Sequence, residues 1–141
     1  MEFPNITTNE AIEIFESSNP IFSGIIREVR ELSKKKPEAT MSSGKVKIVN
    51  RILNDLLIIL KDEPEGKYLE TLDDESLPQM SDAVLIMVQF ESALSSFYAR
   101  YKPIVHGSRY WITQEFVDEW NEDMEDMEDI EDEENVDENE E

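Results

Sequence analysis

The sequence predicts an all-α protein, a compact bundle of four or five helices that is followed by a disordered acidic C-terminal tail. Three observations favour this fold class: apolar residues recur every three or four positions, helix-capping residues precede these stretches, and only one short segment resembles a strand. We expect a helical bundle domain over residues 1–120 and an acidic, largely disordered tail over residues 121–141.

The N-terminal part of the chain predicts two helices that are separated at Pro20. Thr7 and Glu10 have the spacing of a capping box, which begins a short helix over residues 8–17. Asn19 is the predicted N-cap of the second helix, because asparagine is a preferred capping residue and the proline that follows is well tolerated at the first position of a helix. The apolar face of this second helix consists of Phe22, Ile25, Ile26, Val29 and Leu32.

The middle of the chain predicts a helix over residues 43–61, which begins at Ser42 or Ser43, and a brief helix over residues 65–72. A longer helix follows from Ser81, its predicted cap, to residue 101. Its heptad spacing is typical either of the central helix of an antiparallel bundle or of half a dimer seam. The seam residues are Ala83, Met87, Phe90, Leu94, Phe97 and Tyr101.

Residues 104–112 predict either a short hairpin that turns at Gly107 or an irregular, aromatic-rich connection. Thr113 is the expected N-cap of a last helix that runs through Trp120. The apolar spacing beyond Trp120 would allow this helix to continue into the acidic tail.

The charge of the chain is concentrated at its C-terminal end. The net charge is −21, from 34 acidic and 13 basic residues, and residues 118–141 hold 16 of the acids and no Lys or Arg. Direct binding to DNA, RNA or an anionic membrane is therefore not expected. The expected partner is a basic protein surface, on a nucleic-acid-binding protein or an assembly partner.

The tail combines its acids with apolar residues at helical spacing, which favours a recognition segment over a purely solubilising end. An acidic amphipathic helix of this kind can dock on a basic groove or compete with nucleic acid for it. The predicted partner-binding residues are Trp120, Asp123, Met124, Asp126, Met127, Asp129 and Ile130.

Six basic residues within 18 positions form a second candidate surface. They could contact phosphate, they could be a solvated connection that matches the helix dipole, or the acidic tail could fold over them. The candidate basic patch consists of Lys34, Lys35, Lys36, Lys45, Lys47 and Arg51.

The residues needed for common catalytic and metal sites are scarce. The chain has one histidine, no cysteine and four widely spaced glycines, so we expect no thiolate chemistry, no phosphate-binding loop and no nucleotide cofactor. A calcium loop commonly needs a glycine for its sharp turn, and the acidic tail has none. We therefore expect no metal, no cofactor and no enzymatic activity.

One local pattern suggests an alternative function. The segment from Arg100 to Gly107 resembles the arginine-to-histidine motif of HEPN-type ribonucleases, over about a dozen residues. The resemblance implies a small helical RNase in which Arg100 and His106 bind a phosphate and assist RNA cleavage. Tyr101 and Pro103 depart from the family pattern.

These observations together predict a non-catalytic protein-interaction factor, such as an assembly or scaffolding partner, a regulator or an inhibitor. Its size and acidity suit an accessory protein of a phage or bacterium. The start of the sequence lacks a signal peptide and the apolar runs are short, so we expect a cytoplasmic protein that does not enter a membrane. The heptad seam would also be compatible with a homodimer.

Overall fold

The structure is a computed structural model that describes residues 2–138, with side-chain surroundings through residue 131. It confirms an all-α fold. The elements are α1 (Asn9–Lys35), α2 (Ser43–Leu60), a 3-10 turn (Pro64–Tyr68), α3 (Met80–Tyr101), β1 (Ile104–Val105), β2 (Ser108–Arg109) and α4 (Gln114–Glu138).

Helix α1 is one continuous helix, so the prediction of two helices separated at Pro20 is wrong. Its N-cap is Thr8 and not Thr7: the Thr8 hydroxyl accepts a hydrogen bond from the backbone N–H of Ala11 at 3.1 Å. The backbone N–H of Thr7 instead donates to the carbonyl of Ile112 at 2.9 Å, which ties the N-terminal segment to the end of the hairpin.

Packing explains why Pro20 does not end α1. The buried side chains of α1 continue at steps of three or four residues on both sides of the proline, so a break would turn half of them away from the core. Pro20 itself is exposed, and the carbonyl that loses its helical partner can bond to water. The buried residues of α1 are Phe15, Ser18, Phe22, Ile26 and Val29.

Helices α1, α2 and α3 pack around one apolar core, and α1 contacts both of the others. The heptad seam of α3 faces this core, so it is internal to the bundle and is not half of a dimer seam. Ala83, Met87, Phe90, Leu94 and Phe97 are buried, and Tyr101 is partly buried.

The N-termini of α2 and α3 are capped in different ways. The Ser42 hydroxyl caps α2, as predicted. Helix α3 begins at Met80, and the prediction that Ser81 caps it is wrong. The backbone N–H groups of these two residues donate to carbonyls in the loop before α2, Met80 to Ala39 at 2.9 Å and Ser81 to Pro37 at 3.0 Å. Distant carbonyls thus replace a side-chain cap.

The helix predicted over residues 65–72 is only the 3-10 turn over Pro64–Tyr68. The side chain of Asn50 holds Leu72, at the end of the predicted helix, in a non-helical conformation. The Asn50 amide N–H donates to the Leu72 carbonyl at 2.9 Å, and the Asn50 side-chain oxygen accepts from the Leu72 N–H at 2.8 Å. Because Asn50 satisfies both backbone groups of the buried Leu72, these groups need no helical hydrogen bonds.

The hairpin alternative for residues 104–112 is confirmed. Strands β1 and β2 are antiparallel, with Val105 opposite Ser108, and His106 and Gly107 form the two-residue turn. Their φ values of +49° and +84° fit a type I′ turn, which needs positive φ at both central residues.

Helix α4 begins after its predicted cap, since the Thr113 hydroxyl accepts a hydrogen bond from the backbone N–H of Phe116 at 3.2 Å. The helix is continuous across residue 120, where we expected the folded domain to end. It extends through Glu138, over a segment that we expected to be largely disordered. Residues 139–141 of the predicted tail lie outside the described part of the chain.

Replacement of Pro20 by alanine is expected to stabilise the protein. A proline inside a helix costs about 3 kcal/mol relative to alanine, and at an exposed position we expect recovery of about 1–3 kcal/mol. Urea denaturation followed by far-UV circular dichroism measures the free energy of unfolding. Ser23→Ala, at an exposed position in the same helix, is the matched control and should change it by less than about 1 kcal/mol. An unchanged or lower value for Pro20→Ala would contradict the expectation.

Candidate protein-interaction site

Aromatic contacts hold the first turns of α4 against the N-terminal segment and the hairpin. The ring of Phe3 meets Phe116 edge to face, with 5.4 Å between centroids, and Trp120 in the same way at 5.8 Å. The His106 ring stacks on Trp120 at 5.2 Å, with 18° between the ring planes. These contacts anchor the root of α4 to the body.

An open cleft of about 560 Å³ lies between the hairpin turn and α4, and we call it the root cleft. It combines flat aromatic rings, methionine thioethers and carboxylates, which together suit a cationic side chain with an aliphatic stem. The Trp120 Nε1–H is buried and has no hydrogen-bond partner among the described residues. The lining residues are His106, Trp120, Asp123, Met124, Asp126 and Met127.

Beyond the root cleft, the apolar stripe of α4 faces solvent. Met127 and Ile130 are 61% and 56% exposed, and Met124 is exposed to a smaller extent. Between Asn121 and Glu131, all residues apart from the three stripe residues Met124, Met127 and Ile130 are acidic. Arg109 is the last basic residue of the sequence. The described part of α4 therefore presents an amphipathic surface that carries negative charge alone.

The structure brings together five of the seven predicted partner-binding residues, those from Trp120 to Met127, at the root cleft. Asp129 and Ile130 lie about one turn further along α4. His106 was missing from this predicted set. Its sequence signal was the adjacent Gly107, which marks the hairpin turn, but stacking on Trp120 depends on how the hairpin packs.

The residues of the candidate basic patch do not all line the same opening. Lys45 borders an apolar groove between α1 and α2, whereas Lys47 and Arg51 line a polar cleft of about 610 Å³ beside Asn50 and Thr71. No residue of α4 through Glu131 lines either opening. Of the remaining cations, Lys34, Lys35 and Lys36, the first pairs with Glu31 at 3.0 Å.

The guanidinium group of Arg100 is held by carboxylates near the 3-10 turn. It lies 2.9 Å from Glu63 and 2.9 Å from Glu65, and its side chain is only 21% exposed. The Tyr101 hydroxyl donates to Glu63 at 2.6 Å. These contacts form an ion-pair clasp that joins the end of α3 to the 3-10 turn, and its carboxylates would repel a phosphate.

Arg100 and His106 therefore have separate contacts, the first with the clasp and the second with Trp120. Among the described contacts, none joins these two residues, which the HEPN resemblance would make a phosphate-binding pair. The clasp has the chemistry of a structural contact, and no observation on it favours RNA cleavage.

The clasp shifts the pKa values of its own groups. Hydrogen bonds from Arg100 lower the pKa of Glu65 below its ordinary value. Burial, with a further effect of the Glu63 hydrogen bond, raises the pKa of Tyr101 to about 12. At neutral pH the clasp is therefore one cation between carboxylates, with a neutral phenol beside it.

Gly66 allows the 3-10 turn to lie close enough to α2 to present both clasp carboxylates. A Cβ atom at this position would overlap the backbone carbonyls of Leu60 and Lys61 at the end of α2. The turn would have to move to relieve this overlap, because backbone atoms cannot swing aside as a flexible side chain can.

Gly66→Ala is expected to lower the free energy of unfolding by about 1–3 kcal/mol, through this overlap and a loosened clasp. Gly44→Ala is the matched control, since a Cβ there meets nothing within 4 Å. It should leave stability unchanged or raise it by up to about 1 kcal/mol. Urea denaturation measures both, and equal effects of the two substitutions would contradict this role of Gly66.

The stability that Glu65 contributes is expected to depend on pH. Its pKa is lower in the folded chain than the unfolded value of 4.5, so the contribution is fully present above that value. The difference in urea midpoint between the wild type and Glu65→Gln should shrink as the pH falls below 4.5 and vanish below the folded pKa. In an Arg100→Met background this pH-dependent difference should be much smaller, because the hydrogen bonds from Arg100 are the largest cause of the lowered pKa. A difference that persists unchanged at low pH would contradict the clasp geometry.

Three further findings concern membrane spans, metal sites and known proteins. In the part of the chain from residue 2 to 138, no helix is both long and apolar enough to cross a membrane. Among the side chains described, those through residue 131, no group of three or more His, Asp or Glu is placed to hold a metal ion. Comparison with models of protein families, with curated proteins and with solved structures finds no match.

Proposed function

We propose that this chain is a non-catalytic protein-interaction factor that uses α4 to hold a basic surface of another protein. The observation that supports this best is the exposed apolar stripe on a helix whose charged residues are all acidic. A solubilising helix needs the acids but not the stripe, whereas a helix that docks on a basic groove uses both.

Charge and apolar contact have different roles in this binding. Residues 118–141 carry a charge of −16, which attracts a basic surface and speeds the encounter. Met124, Met127 and Ile130 then exclude water in the contact, so they mainly slow dissociation. Binding should consequently be salt-sensitive in its association rate.

The root cleft gives the interaction its point of recognition. An arginine of the partner would lay its aliphatic stem on Met124 and Met127 and its guanidinium group against the rings of His106 and Trp120. Asp123 and Asp126 supply the opposite charge. Arginine fits this site better than lysine, because its planar guanidinium group stacks on aromatic rings.

The partner class follows from the same chemistry. A protein surface that carries enough Lys and Arg to attract α4 is typical of a nucleic-acid-binding protein or of an assembly partner. If that surface also binds nucleic acid, α4 competes for it and the chain acts as an inhibitor or regulator. If it does not, the chain acts as a scaffold. A cytoplasmic accessory protein of a phage or bacterium is the setting that we propose.

Two sets of substitutions test this proposal on a partner captured from an extract of the native cell. Met124→Gln, Met127→Gln and Ile130→Gln together keep the charge and should raise the dissociation rate by about tenfold or more. Asp123→Asn, Asp126→Asn and Asp129→Asn together should instead slow association and weaken its salt dependence. Surface-binding kinetics at low and high salt separate the two effects.

The matched control removes the same amount of charge from exposed positions of the body, by Asp55→Asn, Asp62→Asn and Glu70→Gln. This variant should bind the partner much as the wild type does. Deletion of residues 121–141 should abolish capture, and unchanged partner affinity at low salt after that deletion would overturn the proposal.

A further inference from the structure

A second apolar surface lies between α1 and α2, and we call it the α1/α2 groove. Its volume is about 440 Å³. Ile25 and Val49 are among its lining residues, and Ile21 and Ile48 also line it although they are 57% and 54% exposed. Exposed apolar side chains around an open groove are typical of a surface that a partner covers.

Gly24 helps to keep the α1/α2 groove open. It lines the groove in the interior of α1, where a glycine costs helix stability relative to alanine. A Cβ atom added at Gly24 would meet nothing within 4 Å, so no neighbouring atom requires this glycine. A larger side chain here would occupy the groove without a clash inside the chain.

The α4 stripe is short enough to lie within this groove. The groove residues span Pro20 to Leu32 along α1, about 18 Å of helix, and the stripe from Met124 to Ile130 spans about 9 Å. The root of α4 in the same chain is held elsewhere, against Phe3 and the hairpin.

The charges around the two surfaces are complementary. Lys45 borders the groove, and the exposed Lys35 and Lys36 lie at the C-terminal end of α1, beyond Leu32, where the groove ends. The stripe on α4 is flanked only by acids. Glu28 is the one acid in the groove lining.

We propose that the occupant of the α1/α2 groove is the α4 stripe of a second copy of this chain. Reciprocal docking, in which each copy places its α4 in the other's groove, closes a two-fold symmetric dimer and doubles the contact. The dimer uses the same helix as the proposed function, so it would withhold α4 from the basic partner.

Sedimentation equilibrium of the purified full chain tests this proposal without any partner. We expect a concentration-dependent dimer. Gly24→Leu should raise its dissociation constant at least about tenfold by filling the groove, while thermal unfolding shows a folded protein of equal or higher stability. Leu85→Gln, which alters an exposed apolar residue outside the groove, is the control and should leave the dimer intact.

A mixing experiment identifies the occupant. The variant with Met124→Gln, Met127→Gln and Ile130→Gln keeps an open groove, and Gly24→Leu keeps an intact stripe. At a concentration where the wild type is mainly dimeric, each variant alone should be mainly monomeric. Their mixture should form a heterodimer through one groove and one stripe, weaker than the wild-type dimer. Gly24→Leu should also capture the basic partner at least as well as the wild type.

Three results would each overturn the proposal. These are a wild-type chain that stays monomeric up to about 1 mM, a dimer that Gly24→Leu does not weaken, and a mixture of the two variants that forms no heterodimer. None of them bears on partner capture by α4, so failure of the dimer and failure of the proposed function are distinguishable.

Discussion

The uninterrupted buried face of α1 is the constraint on which the rest of the structure depends. Phe15 and Phe22 lie on opposite sides of Pro20 and both pack into the core, so the helix has to keep one register across the proline. This places Pro20 on the exposed side, and with it Ile21 and Gly24. The α1/α2 groove is thus a consequence of the core: its exposed residues are ones that the core leaves outside, and its floor includes the buried Val29 and Val49.

The same core also determines where α4 begins. The ring of Phe15 lies 5.2 Å from Trp111, and the Trp111 Nε1–H donates to Glu16 at 2.9 Å. Ile112 is buried next in sequence and accepts the backbone hydrogen bond from Thr7. The position from which the chain enters α4 is therefore held by contacts with α1 and the N-terminal segment, and preorganisation of this kind would favour the proposed binding at the root cleft.

The sequence was sufficient where local pattern and burial agree. Helix α2 and the α3 seam were predicted because their apolar spacing matches the faces that the core buries. The predicted break at Pro20 was wrong because burial of apolar side chains on both sides of the proline outweighs its local tendency to end a helix. The Ser81 cap was wrong because the N–H groups at the start of α3 bond to carbonyls more than forty residues earlier in the chain, which no local pattern records.

The candidate site shows the same division. Helical spacing predicted the α4 stripe, since Met124, Met127 and Ile130 repeat in sequence. The root cleft could not be predicted, because the His106 contact depends on a hairpin turn with two positive φ values. The candidate basic patch was predicted from closeness in sequence, whereas positions two apart on a helix, such as Lys45 and Lys47, point about 200° apart.

The charge distribution links the two proposed uses of α4. All 13 basic residues precede α4, so its acids have no cation of their own helix to pair with and depend on another surface for neutralisation. The α1/α2 groove offers mainly apolar contact with few lysines, whereas a basic partner offers charge as well. If a dimer sequesters most of the α4 helices, the apparent dissociation constant for the partner equals the intrinsic constant divided by the fraction of α4 that remains free. Dilution or a strongly basic partner shifts the equilibrium from the proposed dimer to the proposed complex. Above the dissociation constant of the dimer, most copies of α4 would be occupied by self-association.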